Sequence, residues 1–522
     1  MQIIDYVEKR LKIFTEHVWI SLILLVIGGL FFRVYYFPIG VPITLDGLLY
    51  FWFAYDVSIL DHLPTNYYVE NDGWPTFLGF LLKIIHFENF MDYVTFQRSV
   101  TVLLSLVTII PIYLLCRKFF EIKYALIGAA IFAFEPRIVQ NSLLGITDPL
   151  YILLITFSLV LFFSSNKKLI FVSFGFIALA TLVRAEGLFL FIAFSILYLI
   201  RFRYEKKMML KYIIALSIFI LVLTPIISYR IDNYGHDGIL NKVIRAQNEI
   251  KIHTNDTNPN WITFGINGGI NTIKFLGWDL IPIFIFFVPI GFLIVIKKRN
   301  FQNLSIILIS IIMLGPAWFS YLNNSDTRYL FVLYPLFCIF SVFTIEKFCN
   351  KFSRKNIILG LIIIGIFLGA SSFLEYKKID NHNEKEKFEI TKFIVQNTKT
   401  TNYVPFVNKY IQPAEASIKF PNLPAPSYGG SIPVDTVMLT ASDENSLDEF
   451  IVKNRKMGLS HLVIDDSGSE ISFLKDVFYN ENKFPYLSKV YDSSENGFSM
   501  RVKIYRINYD NFQENLKINT NP

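Results

Sequence analysis

The chain contains eleven apolar runs, and most of them approach the length of a membrane-spanning helix. They cover residues 18–37, 99–116, 124–140, 149–164, 169–185, 187–200, 211–229, 279–296, 303–321, 329–345 and 356–374. An α-helix needs roughly 20 apolar residues to cross the hydrocarbon core of a bilayer. Because backbone polar groups must be paired within the bilayer, we expect these runs to be helices. The sequence thus predicts a polytopic α-helical membrane protein with about 11 transmembrane helices.

The composition agrees with a membrane chain and argues against a soluble globule. Hydrophobic residues make up 53% and charged residues 17% of the 522 residues, whereas an average soluble domain carries roughly 25% charge. The three cysteines lie in or beside apolar runs and indicate no disulfide framework. Residues 18–37 are long enough to span and show no small-residue cleavage site, so we interpret them as a span and not as a cleaved signal peptide.

Lysine and arginine residues cluster in alternate loops. They precede the first apolar run and follow the second, fourth, sixth, eighth and tenth. Cytoplasmic loops of membrane proteins carry such an excess of positive charge. The pattern therefore predicts a cytoplasmic N-terminus, and an odd number of spans places the C-terminus outside the cytoplasm. Topology accounts for the net charge of +7, and we expect no nucleic-acid partner.

The remaining loops include two long ones and lead to a C-terminal domain. The long loops cover about residues 38–97 and 230–277, and the second contains the glycine-rich stretch Gly265–Gly269. Long loops on a compact scaffold are commonly functional, so we expect both to cover a substrate site at the outer face. The domains predicted are a transmembrane domain over 1–374 and a soluble extracytoplasmic domain over 375–522.

The last segment has the composition of a small α/β domain. The run EKEKFEITKFIVQN is amphipathic and predicts a helix. Five short β-rich runs follow: YVPFV, TVMLTA, HLVID, LSKVYDS and MRVKIYRI. Helical patterns in SLDEFIVKNRK and EISFLKDVFYN separate some of them. Such alternation favours an α/β fold.

The first outer loop offers acidic side chains close to the membrane. Asp46 stands just after the first span, before an aromatic, helix-like segment. It is a candidate general base or cation ligand, and the alternative is a helix N-cap. We expect Asp56 and Asp61 to face water. Asp72 lies in a turn that positions the next helix, and it is a weaker candidate for a second acid.

Later outer turns hold further charges at the ends of spans, where ionisable groups are costly and tend to be functional. Glu135 and Arg137 form a structural pair or contact substrate. Asp148 precedes Pro149 and is either a helix cap or a site residue. Arg184 and Glu186 stand between two spans. The alternative to a functional role is that they pair with each other and mark the turn.

The tenth span begins beside an arginine. Arg328, followed by Tyr329, suits a two-pronged grip on phosphate, and the alternative is that it reaches to lipid headgroups. Arg33, near the outer end of the first span, could likewise bind phosphate or reach the lipid headgroups. There we expect the side chain to reach the headgroups.

The order of these segments resembles the GT-C glycosyltransferase superfamily. The resemblance covers about residues 15–350 and includes an acid after the first span and an aromatic interfacial segment. It also rests on RSVTVLLSLVTIIPIYLLCRKFFEIKYALIGAAIFAFEP, ITDPLYILL, GFIALATLVRAEGLFLF and TRYLFVLYPL. The chain resembles the branch of protein O-mannosyltransferases and lipid A aminoarabinose transferases, with its RgtA/B/C/D-like members.

The resemblance implies transfer of a sugar from a polyprenyl (dolichyl or undecaprenyl) phosphate donor to a protein, lipid or glycan acceptor at the outer face. Asp46 matches the family's catalytic acid, which takes the proton of the acceptor hydroxyl, and direct displacement inverts the anomeric carbon. Arg328 is the first candidate for stabilising the lipid phosphate that leaves, and Arg184 or Arg137 the second. The candidates for a second acid or an acceptor contact are Asp148, Asp72, Glu135 and Tyr329.

One departure from the family bears on metals and acceptors. Many relatives have Asp-Glu where this chain has Asp46-Gly47, so a divalent cation remains possible but is not implied by the residues present. The oligosaccharyltransferase catalytic subunits carry a WWDxG motif in the soluble domain. The sequence has no such motif, which argues against transfer of a whole glycan to Asn.

Two other functions stay open. A glycan polymerase or ligase also uses many spans, a long outer loop and outer arginines. A transporter or flippase of lipid-linked sugars is expected to show paired repeats or spans broken by Gly and Pro in mid-membrane. The charges here instead cluster at the outer ends of spans, and the outer domain is large. Both features favour chemistry at the outer surface.

Overall fold

The computed structural model describes most of the chain, namely residues 17–239, 261–320, 326–378, 380–420, 422–423, 427, 429–441, 444–466 and 471–520. Its packing divides the chain into two compact units. The first unit comprises Met1–Phe37, Leu63–Leu81 and Phe96–Lys378. The second comprises Pro38–His62, Leu82–Thr95 and Ile379–Pro522. Segments of the first long loop thus pack with the C-terminal domain.

Helices dominate the chain up to residue 378. In chain order they are α1 (Val18–Tyr35), α2 (Asp46–Leu60), α3 (Gly73–Leu82), α4 (Phe90–Val107), α5 (Ile109–Cys116), α6 (Ile122–Phe134), α7 (Pro136–Ser142), α8 (Asp148–Phe162), α9 (Lys167–Val183), α10 (Gly187–Phe202), α11 (Met208–Tyr234), α12 (Trp261–Leu280), α13 (Val288–Lys297), α14 (Phe301–Ser320), α15 (Tyr334–Cys349) and α16 (Lys355–Tyr376). Short 3-10 turns cover Phe284–Phe286 and Thr327–Leu333.

The helical membrane fold is confirmed, while the number of spans is not. Within the described residues, six helices are long and apolar enough to cross a bilayer, or seven if one bent pair counts as a single span. That pair is Gly265–Leu280 with Phe284–Lys297, which meet at 108°. Three predicted spans correspond to shorter apolar helices: Ile122–Phe134, Asp148–Phe162 and Gly187–Phe202.

The structure differs from the sequence prediction at two helix boundaries. The run 124–140 is interrupted after Phe134, because Glu135 is extended and Pro136 starts a new helix. The predicted loop 230–277 is helical at both described ends, and its residues 240–260 lie outside the described part. Gly265 lies within α12, and its carbonyl accepts from the Trp318 indole N–H at 3.1 Å.

Arg33 shows how the first unit accommodates charge. The prediction that it reaches the lipid headgroups is wrong, because the residue is 0% exposed. Its guanidinium donates to the carbonyl of Ala133 at 3.1 Å and to the Ser105 hydroxyl at 2.8 Å, so it joins α1 to α6 and α4. Gly29 leaves room for the side chain and accepts a bond at 2.9 Å. Burial is tolerated because both terminal nitrogens of the guanidinium find acceptors.

The second unit contains an α/β domain, as predicted. Its strands are β1 (Thr400–Asn402), β2 (Val437–Leu439), β3 (His461–Asp465), β4 (Leu487–Asp492) and β5 (Val502–Ile507). Its helices are α17 (Asn381–Asn397), α18 (Pro405–Lys419), α19 (Leu447–Asn454), α20 (Ser472–Tyr479) and α21 (Tyr509–Thr520). The predicted strand YVPFV is wrong. Its proline stands at the first turn of α18, where a missing N–H costs nothing.

The strands form two small sheets joined through a side chain. β1 and β2 are parallel, with Thr400 opposite Val437, and β3, β5 and β4 form an antiparallel sheet in that order. The Asn402 amide bonds both the N–H and the carbonyl of Val463, at 2.7 and 2.9 Å. Alternate residues of β3 and β5 enter two cores on opposite faces, one packed by α19, α20 and α21 and the other by α17 and α18.

Helix α2 lies in the second unit and is held by a buried carboxylate. The prediction that Asp56 faces water is wrong, because it is 0% exposed and accepts bonds from the Ser427 N–H at 2.9 Å and hydroxyl at 2.6 Å. The Tyr55 ring packs on Phe420. Asp61 is confirmed at the surface, paired with exposed Lys83 at 2.6 Å. Aromatic residues on all sides of α2 explain its burial.

We expect Asp56→Asn to destabilise the second unit by about 1.5–3 kcal/mol, because the buried donors of Ser427 lose a charged acceptor. The matched control is Asp61→Asn at the exposed end of the same helix, which should change stability by less than about 0.5 kcal/mol. Denaturant titration with pulse proteolysis measures both. Equal stability of the two variants would show that the Asp56–Ser427 contact contributes nothing to the stability of the second unit.

Candidate active site

Three ionisable residues converge at the ends of α8, α9 and α10 in the first unit. The Arg184 guanidinium donates to the Asp148 carboxylate at 2.5 Å and to the Glu186 carboxylate at 3.0 Å. The second oxygen of Asp148 accepts from the Asn141 amide at 3.1 Å. Asp148 is 2% and Arg184 is 8% exposed. The predicted Arg184–Glu186 pair is confirmed, with Asp148 as a further partner that the sequence did not show.

Local sequence explains why these side chains meet. Asp148 is the first residue of α8, and the fixed backbone of Pro149 suits that first turn. Arg184 ends α9 in an extended conformation, and a tight turn leads to α10. A Cβ on Gly187 would stand 2.6 Å from the Thr181 hydroxyl, so only glycine fits this turn.

Two tyrosines flank the Arg184 guanidinium. The rings of Tyr151 and Tyr329 lie 5.8 and 5.6 Å from its central carbon. Such ring–guanidinium contacts fix the orientation of the charge. The buried Tyr151 hydroxyl has no hydrogen-bond partner among the described residues. An unpaired buried hydroxyl is uncommon, and it is accounted for if a ligand or a water molecule supplies the partner.

Arg328 joins the same cavity from the 3-10 turn Thr327–Leu333. Asp326 caps this turn, accepting from the Arg328 N–H at 3.0 Å and from its Nε at 2.5 Å. The Arg328 side chain is 30% exposed, compared with 9% for Arg184. Arg328 is therefore the arginine that an entering ligand reaches more readily.

These residues line one narrow cavity of about 10 Å³, which is room for roughly one water molecule. Its polar lining consists of Asp148, Tyr151, Arg184, Glu186, Arg328 and Tyr329. Two arginines and two carboxylates thus share a small, partly enclosed space. Guanidinium groups bind phosphate, while carboxylates accept hydrogen bonds from hydroxyls. A ligand that carries both phosphate and hydroxyl groups matches this mixture better than a simple anion or cation does.

Arg137 and Glu135 do not line this cavity and form other contacts within the first unit. Arg137 donates to the carbonyls of Trp278 at 2.5 Å and Ile281 at 3.2 Å, beside the bend between α12 and α13. Glu135 caps α7 by accepting from the Ile138 N–H at 2.8 Å. Among the described residues no ion pair joins Glu135 to Arg137, contrary to the structural interpretation of the sequence.

Asp279 was not singled out from the sequence. It is 0% exposed, accepts from the Tyr334 hydroxyl at 3.0 Å and lies 3.9 Å from Arg137. An aspartate inside an apolar run was the available signal, because charges at membrane depth are costly. Its partners stabilise the bend.

Asp72 is also paired. Both of its oxygens accept from Arg230, which was not singled out either, and the Nε bond measures 3.1 Å. Both side chains are almost fully buried. This pair ties the segment before α3 to the end of α11, and the contact accounts for the buried position of Asp72.

Asp46 belongs to the second unit, where it is the exposed first residue of α2. The cap position itself is Leu45, so Asp46 is not the N-cap. Leu45 has a φ of 51° and is 81% exposed. A non-glycine residue at positive φ stores strain, and such strain clusters at functional sites.

A divalent cation remained possible from the sequence. Over the residues that the structure describes, no group of three or more His, Cys, Asp and Glu side chains is arranged to hold a metal ion. The carboxylates of the cavity are directed to Arg184. We therefore assign no step to a metal.

Comparisons with known proteins concern one segment of the sequence and the fold. Residues 76–229 match the family model of dolichyl-phosphate-mannose-protein mannosyltransferases. The oligosaccharyltransferase of Archaeoglobus fulgidus superposes in its apo form with a TM-score of 0.56 at 12% identity, over 86% of this chain and 69% of that one. ArnT from Cupriavidus metallidurans gives 0.49 at 10% identity, over 94% and 97%. No curated protein matches the sequence.

The fold and the matched segment resemble those of GT-C-type membrane proteins. The resemblance stated from the sequence is thereby confirmed, with likeness to the mannosyltransferases over the matched segment. The chain has several apolar helices and a C-terminal α/β domain, and it is a multi-pass membrane protein.

We expect Arg184→Gln to destabilise the first unit by about 3–5 kcal/mol, because Asp148 would remain as a buried charge without its cation. The double variant Asp148→Asn with Arg184→Gln should lose less than the sum of the single losses. Arg203→Gln, at an exposed arginine of the same unit, is the control. Thermal unfolding in detergent compares wild type with Arg184→Gln, Asp148→Asn, the double variant and the control, and additive losses would contradict a coupled pair.

Proposed function

We propose that this protein is a membrane glycosyltransferase that moves a sugar from a polyprenyl-phosphate donor to a protein, lipid or glycan acceptor. The observation that carries the proposal is the cavity in which Arg184 and Arg328 meet the carboxylates of Asp148 and Glu186. A lipid-linked sugar phosphate presents one phosphate and several hydroxyls, which these groups can bind together. The mannosyltransferase match over residues 76–229 supports the same class of donor.

The roles divide by exposure and by existing contacts. Arg328 is the more exposed arginine and would bind the phosphate first. Arg184 is fixed between two carboxylates and would orient the ligand. Arg137 donates to backbone carbonyls at the bend, so we rank it below both. Tyr151 would supply a hydrogen bond to a sugar hydroxyl or to the phosphate.

Asp46 is the proposed base. Its exposed carboxylate would accept the proton of the acceptor hydroxyl while the acceptor oxygen bonds to the anomeric carbon. The bond from that carbon to the phosphate oxygen breaks, and the electron pair leaves with the lipid phosphate. Arg328 would stabilise the charge that develops on the phosphate. Direct displacement inverts the configuration of the anomeric carbon.

Loop charge supports placing the reaction on the outer face. The lysine and arginine clusters occupy the opposite loops, whereas the acids and arginines of the cavity stand in the turns without such clusters. We propose that the N-terminus is cytoplasmic and that the C-terminal domain is extracytoplasmic. Donor and acceptor would then meet outside the cytoplasm.

The proposal for the acceptor is supported by a protein of similar fold. The Archaeoglobus fulgidus oligosaccharyltransferase was solved with an inhibitory peptide and a dolichol-phosphate, with a TM-score of 0.54 at 12% identity over 91% of this chain and 73% of that one. That likeness concerns the fold and makes a peptide acceptor reasonable here. The lack of a WWDxG motif in this chain favours transfer of a small sugar unit over a whole glycan.

One observation favours transport as a second candidate. The 108° bend between α12 and α13 has the geometry of a broken span or a re-entrant loop, and transporters use broken spans. Transporters generally carry such breaks in pairs, and the described residues contain one bent pair. Arg137 and Asp279 pack this bend with fixed contacts, which suits a static scaffold.

We expect Asp46→Asn to abolish transfer, with a loss of at least about 100-fold, because general-base catalysis contributes roughly 10²–10⁴ in rate. The assay supplies purified protein with radiolabelled polyprenyl-phosphate sugars and a cell-envelope extract. Asp61→Asn, at an exposed aspartate directly after the same helix, should keep wild-type transfer. Equal transfer by Asp46→Asn and wild type would remove Asp46 from the base role.

We expect Arg328→Gln to raise the KM for the donor by about tenfold or more, because a charge-assisted bond to phosphate contributes roughly 1.5–3 kcal/mol. The folding of the variant should be preserved, since the side chain is partly exposed. Donor titration at saturating acceptor measures the effect, with Arg203→Gln as control. An unchanged KM and an unchanged kcat would contradict phosphate binding by Arg328.

A further inference from the structure

A second polar groove lies in the first unit between α13 and α15, away from the candidate active site. Its volume is about 510 Å³. The residues that line it are Ile290, Leu293, Ile294, Lys297, Lys298, Phe343, Glu346, Lys347 and Asn350. Three lysines therefore stand over an apolar floor at the C-terminal ends of two membrane helices.

Close packing further up the helices explains why the groove exists. A Cβ on Gly291 would lie 1.8 Å from the Phe340 carbonyl oxygen, so the two backbones nearly touch there. The Thr344 hydroxyl donates to the Phe287 carbonyl at 2.6 Å and fixes this approach. Beyond it the two helices no longer fill the space between them, and the groove opens toward Lys297 and Lys347.

The charges of the groove favour an anion. No ion pair with a described residue involves the three lysines, Lys297, Lys298 and Lys347. One carboxylate, Glu346, also lines the groove. The groove therefore carries three positive charges and one negative charge. The Lys298 ammonium lies 5.2 Å from the centre of the Phe343 ring. Lysines near helix ends often only complement the helix dipole. Here three of them converge on one cavity, which a dipole partner does not require.

The walls favour a lipid over a soluble anion. The Ile290 and Leu293 side chains lie on one face of α13 and are 52% and 60% exposed. Lys297 follows on the same face, four residues after Leu293. An apolar strip that ends in a cation matches an acyl chain below a phosphate. Basic pockets between membrane helices bind anionic headgroups in this way.

We propose that this groove binds an anionic glycerophospholipid, with the phosphate on the three lysines and an acyl chain along α13. The site is separate from the proposed donor cavity. Arg328 precedes α15, whereas Lys347 is near the end of this helix of 16 residues, which is about 24 Å long at 1.5 Å per residue. The proposal therefore does not depend on the transfer reaction.

The test is a lipid titration of the purified full chain in detergent, read by native mass spectrometry. Phosphatidylglycerol and phosphatidylcholine with identical acyl chains are compared, and glycerol phosphate tests the headgroup alone. We expect wild type to bind phosphatidylglycerol at least tenfold more tightly than phosphatidylcholine, with no retention of glycerol phosphate. Equal binding of the two lipids, or binding of glycerol phosphate as tight as that of the lipid, would overturn the proposal.

Variants locate the site. The triple variant Lys297→Gln, Lys298→Gln, Lys347→Gln should weaken phosphatidylglycerol binding by roughly 100-fold, at about fivefold per lysine. The control makes the same charge change at three other exposed lysines: Lys168→Gln, Lys206→Gln and Lys207→Gln. Equal weakening by both triples would overturn the proposal, because it would show attraction by net charge alone. If the groove triple does not fold, each single variant should show the fivefold loss, and its absence in all three would refute the site.

Discussion

Buried arginines need hydrogen-bond or charge partners, and the architecture of the first unit depends on which groups supply them. Arg184 lies between Asp148 and Glu186, Arg230 binds both oxygens of Asp72, and Arg33 bonds to the backbone and to a serine. A charge in a low-dielectric interior is tolerated only with such partners. Apart from the local Arg184–Glu186 pair, these contacts join segments that are distant in sequence. The resulting contacts stabilise the fold and hold ionisable groups in defined positions.

The candidate cavity uses one of these pairings for a second purpose. Arg184 is already satisfied by its two carboxylates, so it is fixed in place before any ligand arrives. Arg328 pairs with Asp326 at a more exposed position and can exchange this partner for a phosphate with less loss of burial. A preorganised cation beside an accessible one suits a reaction in which negative charge develops on a leaving phosphate.

Sequence patterns predicted the membrane class, the C-terminal α/β domain and the Arg184–Glu186 pair, because these follow from local hydropathy, alternation and spacing. They did not predict Arg230 or Asp279, and they placed Asp56 and Arg33 in contact with water or headgroups. All four are polar groups whose partners are remote in sequence, such as Ser427 for Asp56. Hydropathy describes the cost of burying such a group but not the partner that offsets it.

The most direct test of the account is to locate the lipid phosphate. The purified chain would be photolabelled with a polyprenyl phosphate that carries a diazirine beside its phosphate, and the labelled peptides mapped by mass spectrometry. The account predicts labels on peptides that contain Arg184–Glu186 and Thr327–Leu333, removed by excess unlabelled polyprenyl phosphate but not by phosphatidylglycerol. Labels confined to other peptides, or labels on these that polyprenyl phosphate fails to displace, would contradict it.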